Sequence, residues 1–224
     1  MVQTNKRISA MNDVSLGFTV GIIGAGWLGG SVGRALAKAG HRVIFASRRP
    51  SRIQHLPEGL PTASVGTLDA AARCNIVLLS TPFDALQGIA ASHGKTLAGR
   101  IVIDATNPAD DTPAGREAAH TGAAELTRRL FPDARLVRCF SAVDATCVEQ
   151  GHGYGETQPL GVPLASDDAG ALMTVSQLVR DVSCVPVSTG PLETARLFQR
   201  GAPAFRANTH AAALRRKLGL RIAA

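Results

Sequence analysis

Short apolar runs recur along the chain and alternate with stretches in which apolar residues follow a helical spacing. The runs cover residues 17–24, 41–47, 74–82, 99–108, 134–143, 159–166 and 183–190. Apolar runs bounded by glycine, proline or polar residues predict buried strands. The spacing of Leu28, Val32 and Leu36 predicts a helix over Trp27–Ala39, which Gly40 ends.

Further helices are predicted at 83–93, before Pro132, at about 168–180, and from Pro191 almost to the end of the chain with a break at 201–203. Strands that alternate with such helices form βαβ units with parallel strands. The predicted fold is therefore α/β: a Rossmann-type, doubly wound, mostly parallel sheet with a C-terminal helical extension. We expect residues 1–16 to form a flexible tail and 17–224 a single domain, in which the glycine-rich stretch 149–161 is a loop that could serve as a lid.

The composition favours an anionic ligand. The formal net charge is +7 and the pI about 9.9, whereas only 4% of the residues are aromatic. A basic chain attracts nucleotides, nucleic acids and acidic surfaces, but so few aromatic residues offer little for base stacking, and we expect no nucleic-acid partner. The chain has no apolar run of about 20 residues and its first residues lack the apolar core of a signal peptide, so we expect a cytoplasmic location and no membrane association.

The four cysteines are expected to be reduced thiols. They form no C-x-x-C pair and stand apart from the histidines in the sequence, so no metal site is predicted.

A glycine motif follows the first predicted strand. Residues 24–29 fit the pattern G-x-G-x-x-G and open the predicted helix, the context that makes the motif informative. Gly24 allows a tight turn, Gly26 lets the backbone approach a pyrophosphate, and Gly29 allows close packing of helix and strand. The exposed N–H groups of the first helical turn would face the phosphates. The residues assigned to this cradle are Gly24, Ala25, Gly26, Trp27, Leu28 and Gly29; the alternative is a glycine-rich turn without a ligand.

The second predicted strand ends in Ser47, Arg48 and Arg49, with Arg52 close behind. A carboxylate at this place would hold the adenosine ribose of NAD(H). Guanidinium groups instead pair with phosphate through charge-assisted hydrogen bonds, and Ser47 adds a hydroxyl donor. The sequence therefore predicts NADP(H) as the cofactor; the alternative is a solvated basic loop.

Other polar residues follow the later strands, and the carboxyl ends of parallel strands meet at the edge where cofactors bind. Thr81 and Pro82 are expected near the cofactor. Asn107 is expected to bond its ribose or carboxamide, or else to be only a turn residue before proline. No catalytic acid or base is predicted, because the only tyrosine, Tyr154, is not followed by a lysine four residues later. A small site without such a group suits hydride transfer to a second, flat cofactor.

Together, the segments GAGWLG, SRRPSR, ARLVRCFSAVDA and STGPLETARL resemble the NADP oxidoreductases that depend on the deazaflavin coenzyme F-420, and the related NADPH-binding domains of metalloreductases. The resemblance spans about residues 19–220. It implies that 24–29 bind pyrophosphate, that Ser47, Arg48 and Arg52 hold the 2′-phosphate, and that Thr81 and Pro82 border the ribose and nicotinamide.

The resemblance also implies an acceptor site. The turn around Ser141, Ala142 and Ala145 would face a deazaflavin or flavin ring, and the protein would be a homodimer. Deazaflavin-dependent members tend to have histidine, and the metalloreductases asparagine, where this chain has Ser141. The identity of the small-molecule redox acceptor therefore stays open.

Two other functions fit the same residues. One is an NADPH-binding sensor or scaffold without turnover, and the other a ketone or imine reductase whose site a dimer partner completes. The last segment is strongly basic, opposed within it only by Glu193, which predicts either a solvated face or an electrostatic funnel for a polyanionic coenzyme. Its cations are Arg196, Arg200, Arg206, Arg215, Arg216, Lys217 and Arg221.

Overall fold

The computed structural model describes residues 17–220, so the predicted tail at 1–16 and Arg221 lie outside the described residues. An eight-stranded sheet runs through this part of the chain in the order β3-β2-β1-β4-β5-β6-β7-β8. Its strands are β1 Thr19–Ile23, β2 Arg42–Ala46, β3 Ala63–Val65, β4 Ile76–Leu79, β5 Ile101–Asp104, β6 Arg135–Cys139, β7 Gly161–Ala165 and β8 Val185–Gly190. β1 to β6 pair in parallel, whereas β7 pairs antiparallel with β6 and parallel with β8.

Helices cover both faces of the sheet. They are α1 Trp27–Lys38, α2 Leu68–Ala72, α3 Leu86–Leu97, α4 Pro113–Thr121, α5 Ala123–Leu130, α6 Ala145–Gln150, α7 Ala169–Asp181 and α8 Ala211–Lys217. Buried apolar residues of α1, α6 and α7 form one cluster with the sheet, and those of α2, α3, α4, α5 and α8 form a second one on the opposite face. Successive residues of β1 point to opposite faces, with Ile22 in the first cluster and Ile23 in the second. The predicted Rossmann-type, doubly wound, mostly parallel fold is confirmed.

Four short elements were not predicted: β3, α2, α4 and α6, the last with six residues. β3 has three residues, none of them buried, and α2 has five, so neither gives a clear apolar period. α4 is longer, and its start has a recognisable signal. The hydroxyl of Thr112 accepts a hydrogen bond from the N–H of Gly115, and Pro113 occupies the first helical position, which is the usual chemistry of a helix N-terminus.

The prediction for the C-terminal segment was wrong in part. A 3-10 helix covers Leu192–Phe198 and α8 follows at Ala211–Lys217, but residues 199–210 between them are irregular. Arg206 and Asn208 have φ angles of 51° and 44°, a left-handed conformation that no continuous helix allows. Their side chains bind Asp144, so tertiary contacts override the helical pattern. None of the helices within 17–220 combines the length and apolar character that crossing a bilayer requires.

An ion pair caps α7. Asp168 accepts hydrogen bonds from Arg135 at 2.7 and 2.9 Å and from the N–H of Ala171 at 2.8 Å. The Arg135 guanidinium, helped by that N–H, holds the pKa of Asp168 well below its usual range. Because the folded-state pKa lies below the unfolded one, this contribution to stability is present above the unfolded pKa and is lost as the pH falls through the folded pKa.

We expect Asp168→Asn to lower Tm at neutral pH and to matter less and less below about pH 4, the ordinary pKa of aspartate. Thermal unfolding at several pH values measures this, with Asp133→Asn as the control, since Asp133 is exposed and its carboxylate has no bond within the described residues. An equal loss of Tm at every pH would contradict the assignment.

Candidate functional site

The turn between β1 and α1 is tightly packed on one side and open on the other. Gly24 has a φ of 95°, and a Cβ on it would lie 2.5 Å from the carbonyl oxygen of Ser80. A Cβ on Gly29 would lie 2.5 Å from the carbonyl oxygen of Gly24. A Cβ on Gly26, by contrast, would meet no atom within 4 Å. Gly24 and Gly29 are thus required by packing, whereas Gly26 leaves free space in front of the helix.

The N-terminus of α1 faces that space. No side chain caps the helix, and its first turn carries no acidic residue. The first N–H groups of a helix have no partner within it, so here they remain available to an anion. Trp27, the first residue of the helix, is 74% exposed.

A cleft of about 1120 Å³ opens at this turn. It brings together most of the residues that the sequence assigns to the cofactor: Gly24, Ala25, Gly26, Trp27, Ser47, Arg48, Arg49, Arg52, Thr81 and Pro82. Two members of the glycine motif do not line it. Gly29 is buried, and Leu28 packs against the core, so both support the turn from behind.

The cleft has a strongly basic end. Arg48, Arg49 and Arg52 are exposed and form no ion pair within 17–220. The hydroxyl oxygen of Ser47 accepts a hydrogen bond from the N–H of Arg49 at 3.2 Å, which leaves its hydrogen free to donate. Arg34 and His55 also line the cleft. Sequence reasoning missed both, because Arg34 belongs to the helix pattern and His55 to a loop without a motif.

Thr81 and Pro82 follow β4 at the middle of the cleft. The hydroxyl oxygen of Thr81 is buried and has no hydrogen-bond partner within the described part of the chain. Buried hydroxyls almost always have a partner. This orphaned group therefore marks a place where a polar ligand would complete the structure.

Asn107 is part of a buried polar network rather than of the cleft lining. Its amide oxygen accepts from Arg138 at 2.9 Å, and its amide nitrogen donates to the carbonyl oxygen of Ser141 at 2.8 Å. Arg138 also donates to Asp104 at 2.6 Å, and both of these side chains are completely buried. The role of Asn107 as a cofactor ligand stays a prediction, since each amide atom keeps one free hydrogen-bonding position.

The charged pair Asp104–Arg138 was not predicted either. A signal for it existed, since each residue interrupts an apolar strand, in IVID and RLVRC. The strand register pairs the two residues directly.

The residues assigned to the acceptor are buried. Ser141, Ala142 and Ala145 are 5%, 1% and 5% exposed. The N–H of Arg206 donates to the carbonyl oxygen of Ala142 at 2.9 Å. The hydroxyl oxygen of Ser141 is buried without a partner among the residues described. The structure therefore gathers the cofactor residues in an open cleft but covers the acceptor residues.

Asp144 binds side chains of the C-terminal segment. It accepts hydrogen bonds from Arg206 at 2.5 Å, Asn208 at 2.9 Å and Tyr154 at 3.3 Å. The Arg206 guanidinium beside it holds the pKa of Asp144 below its usual range. Arg206, expected to belong to a solvated face or a funnel, is thus engaged in an ion pair. A second polar cavity of about 500 Å³ lies beside these residues.

The four cysteines, Cys74, Cys139, Cys147 and Cys184, are all buried and unpaired. Burial raises the pKa of Cys184 to about 12 and that of Cys139 further, so neither provides a thiolate at neutral pH. Within residues 17–220, no three His, Cys, Asp or Glu side chains are grouped so that they could hold a metal ion.

Comparisons with known proteins found similar sequences and a similar fold. Residues 19–108 match the family described as "NADP oxidoreductase coenzyme F420-dependent". The chain is 30% identical to metalloreductase STEAP3 of Rattus norvegicus over 79% of its own length and 35% of that protein's, so it spans about a third of the metalloreductase. It is 26% identical to the F420-dependent NADP reductase of Methanothermobacter marburgensis, over 80% of this chain and 87% of that one.

A solved structure, a hypothetical protein from Sinorhizobium meliloti, has a TM-score of 0.76 and 25% identity, and covers 88% of this chain and 96% of its own. The fold is of the Rossmann type, and the chain is similar in sequence to the coenzyme F420-dependent NADP oxidoreductases and to the metalloreductases, which confirms the resemblance inferred from the sequence.

The glycine turn leads to a prediction that separates folding from binding. Gly26→Ala is expected to leave Tm unchanged, because its Cβ enters free space, and to weaken binding of both NADPH and NADH, because that space is where phosphate would lie. Isothermal titration calorimetry and thermal unfolding measure the two effects. Gly24→Ala is the contrasting variant and should lower Tm sharply, since its Cβ would meet backbone and its φ is positive. Undiminished nucleotide binding by Gly26→Ala would refute the cradle.

Proposed function

We propose that this protein is an NADP(H)-dependent oxidoreductase that passes hydride between the nicotinamide and a deazaflavin- or flavin-type acceptor. The observation that carries the proposal is the basic end of the cleft. Arg48, Arg49 and Arg52 stand there without a carboxylate partner among the described residues, at the end of the strand where NAD(H)-binding proteins carry an acid. An unpaired group of guanidiniums suits a phosphate on the adenosine ribose.

Features of the cleft support sites for the pyrophosphate, the 2′-phosphate, and the ribose and nicotinamide. The free space at Gly26 and the uncapped N-terminus of α1 suit the pyrophosphate. Ser47, Arg48 and Arg52 would hold the 2′-phosphate, and Thr81 and Pro82 would border the ribose and nicotinamide. NADP(H), when bound, supplies the hydride chemistry. The residues of this chain bind and orient it.

The proposal for the acceptor half rests on one buried hydroxyl and one relative. The unpartnered hydroxyl of Ser141 suits contact with a polar ligand, and one relative is named an F420-dependent NADP reductase. We therefore propose a deazaflavin first and a flavin second, with Ser141, Ala142 and Ala145 near the ring. Catalysis would come mainly from holding the two rings about 3 to 3.5 Å apart. The homodimer and the cytoplasmic location stay predictions.

One observation favours a second candidate. Because the residues assigned to the acceptor are buried, a protein that binds NADPH without turnover, as a sensor or scaffold, would also fit. The third candidate, a ketone or imine reductase completed by a partner, has no such observation in its favour.

Turnover distinguishes these candidates. We expect NADPH oxidation, followed by absorbance at the nicotinamide band, when coenzyme F-420 or a free flavin is added to the purified protein. Ferric chelates, quinones and a set of ketones and imines form the comparison panel. Oxidation only with a ketone or imine would favour the third candidate, and tight binding without oxidation by any acceptor would favour the sensor.

A single arginine tests the choice of nucleotide. Arg48→Ala should weaken NADPH and leave NADH nearly unchanged, because a charge-assisted contact is worth about 1.5 to 3 kcal/mol, or roughly 10- to 150-fold in Kd. Calorimetric titration with both nucleotides measures this. Arg180→Ala, which removes an exposed arginine of α7 outside the cleft, is the matched control. An equal loss for NADPH and NADH would rule out the assignment.

A further inference from the structure

We propose that Arg34 is a positioning residue that sets the preference of the cleft for the phosphorylated dinucleotide. It does so by fastening the loop that carries Arg52 and His55. The inference rests on the proposed function, because it concerns the same nucleotide site, but it assigns a role to a residue of α1 that lies outside the glycine motif and outside the end of β2.

The Arg34 guanidinium holds the loop by its backbone. Its Nη1 donates to the carbonyl oxygen of Leu56 at 2.5 Å and lies 3.4 Å from that of Glu58. Arg34 is half-buried and forms no ion pair within residues 17–220. Its acceptors are therefore neutral, and the group keeps its full positive charge at the wall of the cleft.

Apolar packing fixes the same loop against the same helix. Ile53, Leu56 and Leu60 are buried in the cluster that contains α1. A Cβ on Gly30 would lie 3.1 Å from Cδ2 of Leu56, so the absence of a side chain at Gly30 admits that leucine. The position of the loop relative to α1 is thus defined on both sides of Leu56, by a polar contact at its carbonyl and an apolar one at its side chain.

The loop needs these contacts because the positive charges that line the cleft repel one another. Arg34, Arg48, Arg49 and Arg52 line one cleft together with His55. The carboxylates that also line it, Asp84 and Glu149, form no ion pair with any of them. Like charges gathered without a counter-ion repel one another. The hydrogen bonds from Arg34 hold the loop against this repulsion, in the position where a dianionic phosphate would contact it.

The test compares two variants at Arg34 with a matched control. Arg34→Ala removes charge and hydrogen bonds, whereas Arg34→Lys keeps the charge and one donor for the carbonyl of Leu56. Arg100→Ala is the control, because Arg100 is also half-buried and donates to backbone carbonyls, those of Thr96 and Cys74, but lies outside the cleft. Kd values for NADPH and NADH are measured by calorimetry, Tm by thermal unfolding, and amide hydrogen exchange over residues 53–60 by mass spectrometry.

We expect Arg34→Ala to raise the Kd for NADPH roughly tenfold, as the loss of one charge-assisted contact would, and to leave the Kd for NADH within about twofold. Exchange should rise over 53–60 and not elsewhere. Arg34→Lys should recover most of the NADPH affinity, and Arg100→Ala should leave the ratio of the two Kd values unchanged.

The inference is overturned if Arg34→Ala weakens both nucleotides equally, leaves both unchanged, or changes the ratio no more than Arg100→Ala does. These outcomes leave the proposed function intact as long as the wild-type protein prefers NADPH. A wild-type protein that binds NADH as well as NADPH would instead defeat the proposed function, and this inference with it.

Discussion

The ion pair between Asp104 and Arg138 ties together the two strand ends on which the centre of the site is built. Both side chains are fully buried, and the register of β5 with β6 sets them side by side. Such a pair adds little net stability, because desolvation offsets the attraction, yet removal of one partner typically costs about 3 to 5 kcal/mol. Any shift in the register of β6 on β5 would leave two uncompensated charges in the core.

The pair also orients the turns that follow the two strands. The second oxygen of Asp104 accepts from the N–H and the hydroxyl of Thr106 at 2.9 and 2.7 Å. Arg138 holds Asn107, which in turn binds the carbonyl of Ser141. Phe140, just before that serine, is 1% exposed and has a φ of 60°, a strained conformation that persists only when its surroundings enforce it. These contacts fix how the turns after β5 and β6 are oriented, whereas the arginines at the basic end are exposed and have no counter-ion within the described residues.

The sequence alone predicted those features of the fold and the cleft whose pattern lies within a few consecutive residues. Glycines after a strand, a basic tripeptide at the end of the next, and apolar runs of strand length each occupy a few consecutive residues, so the fold and the residues that meet in the cleft followed from them. Contacts between distant residues could not be predicted in this way, because the sequence can mark a residue as unusual, as it does Asp104 and Arg138 within apolar strands, but does not identify its partner. Asp144 and Arg206 are 62 residues apart, and Asp104 and Arg138 are 34 apart. The helical pattern after Pro191 led to a wrong prediction for residues 199–210. Contacts with Asp144 impose a left-handed backbone at Arg206 and Asn208 there.

The two halves of the site therefore differ in how accessible they are to a ligand. The dinucleotide half is an open cleft that is already formed without a ligand, so binding there needs little rearrangement. In the acceptor half, Ser141 is 5% exposed, and the next residue, Ala142, accepts a hydrogen bond from the N–H of Arg206. A ring can contact the buried hydroxyl of Ser141 only after the residues that cover it have moved. A ligand that needs a less populated state binds more weakly by the fraction of molecules in that state. The burial of Ser141 would therefore lower the affinity for any acceptor at this hydroxyl and leave that for the dinucleotide unaffected.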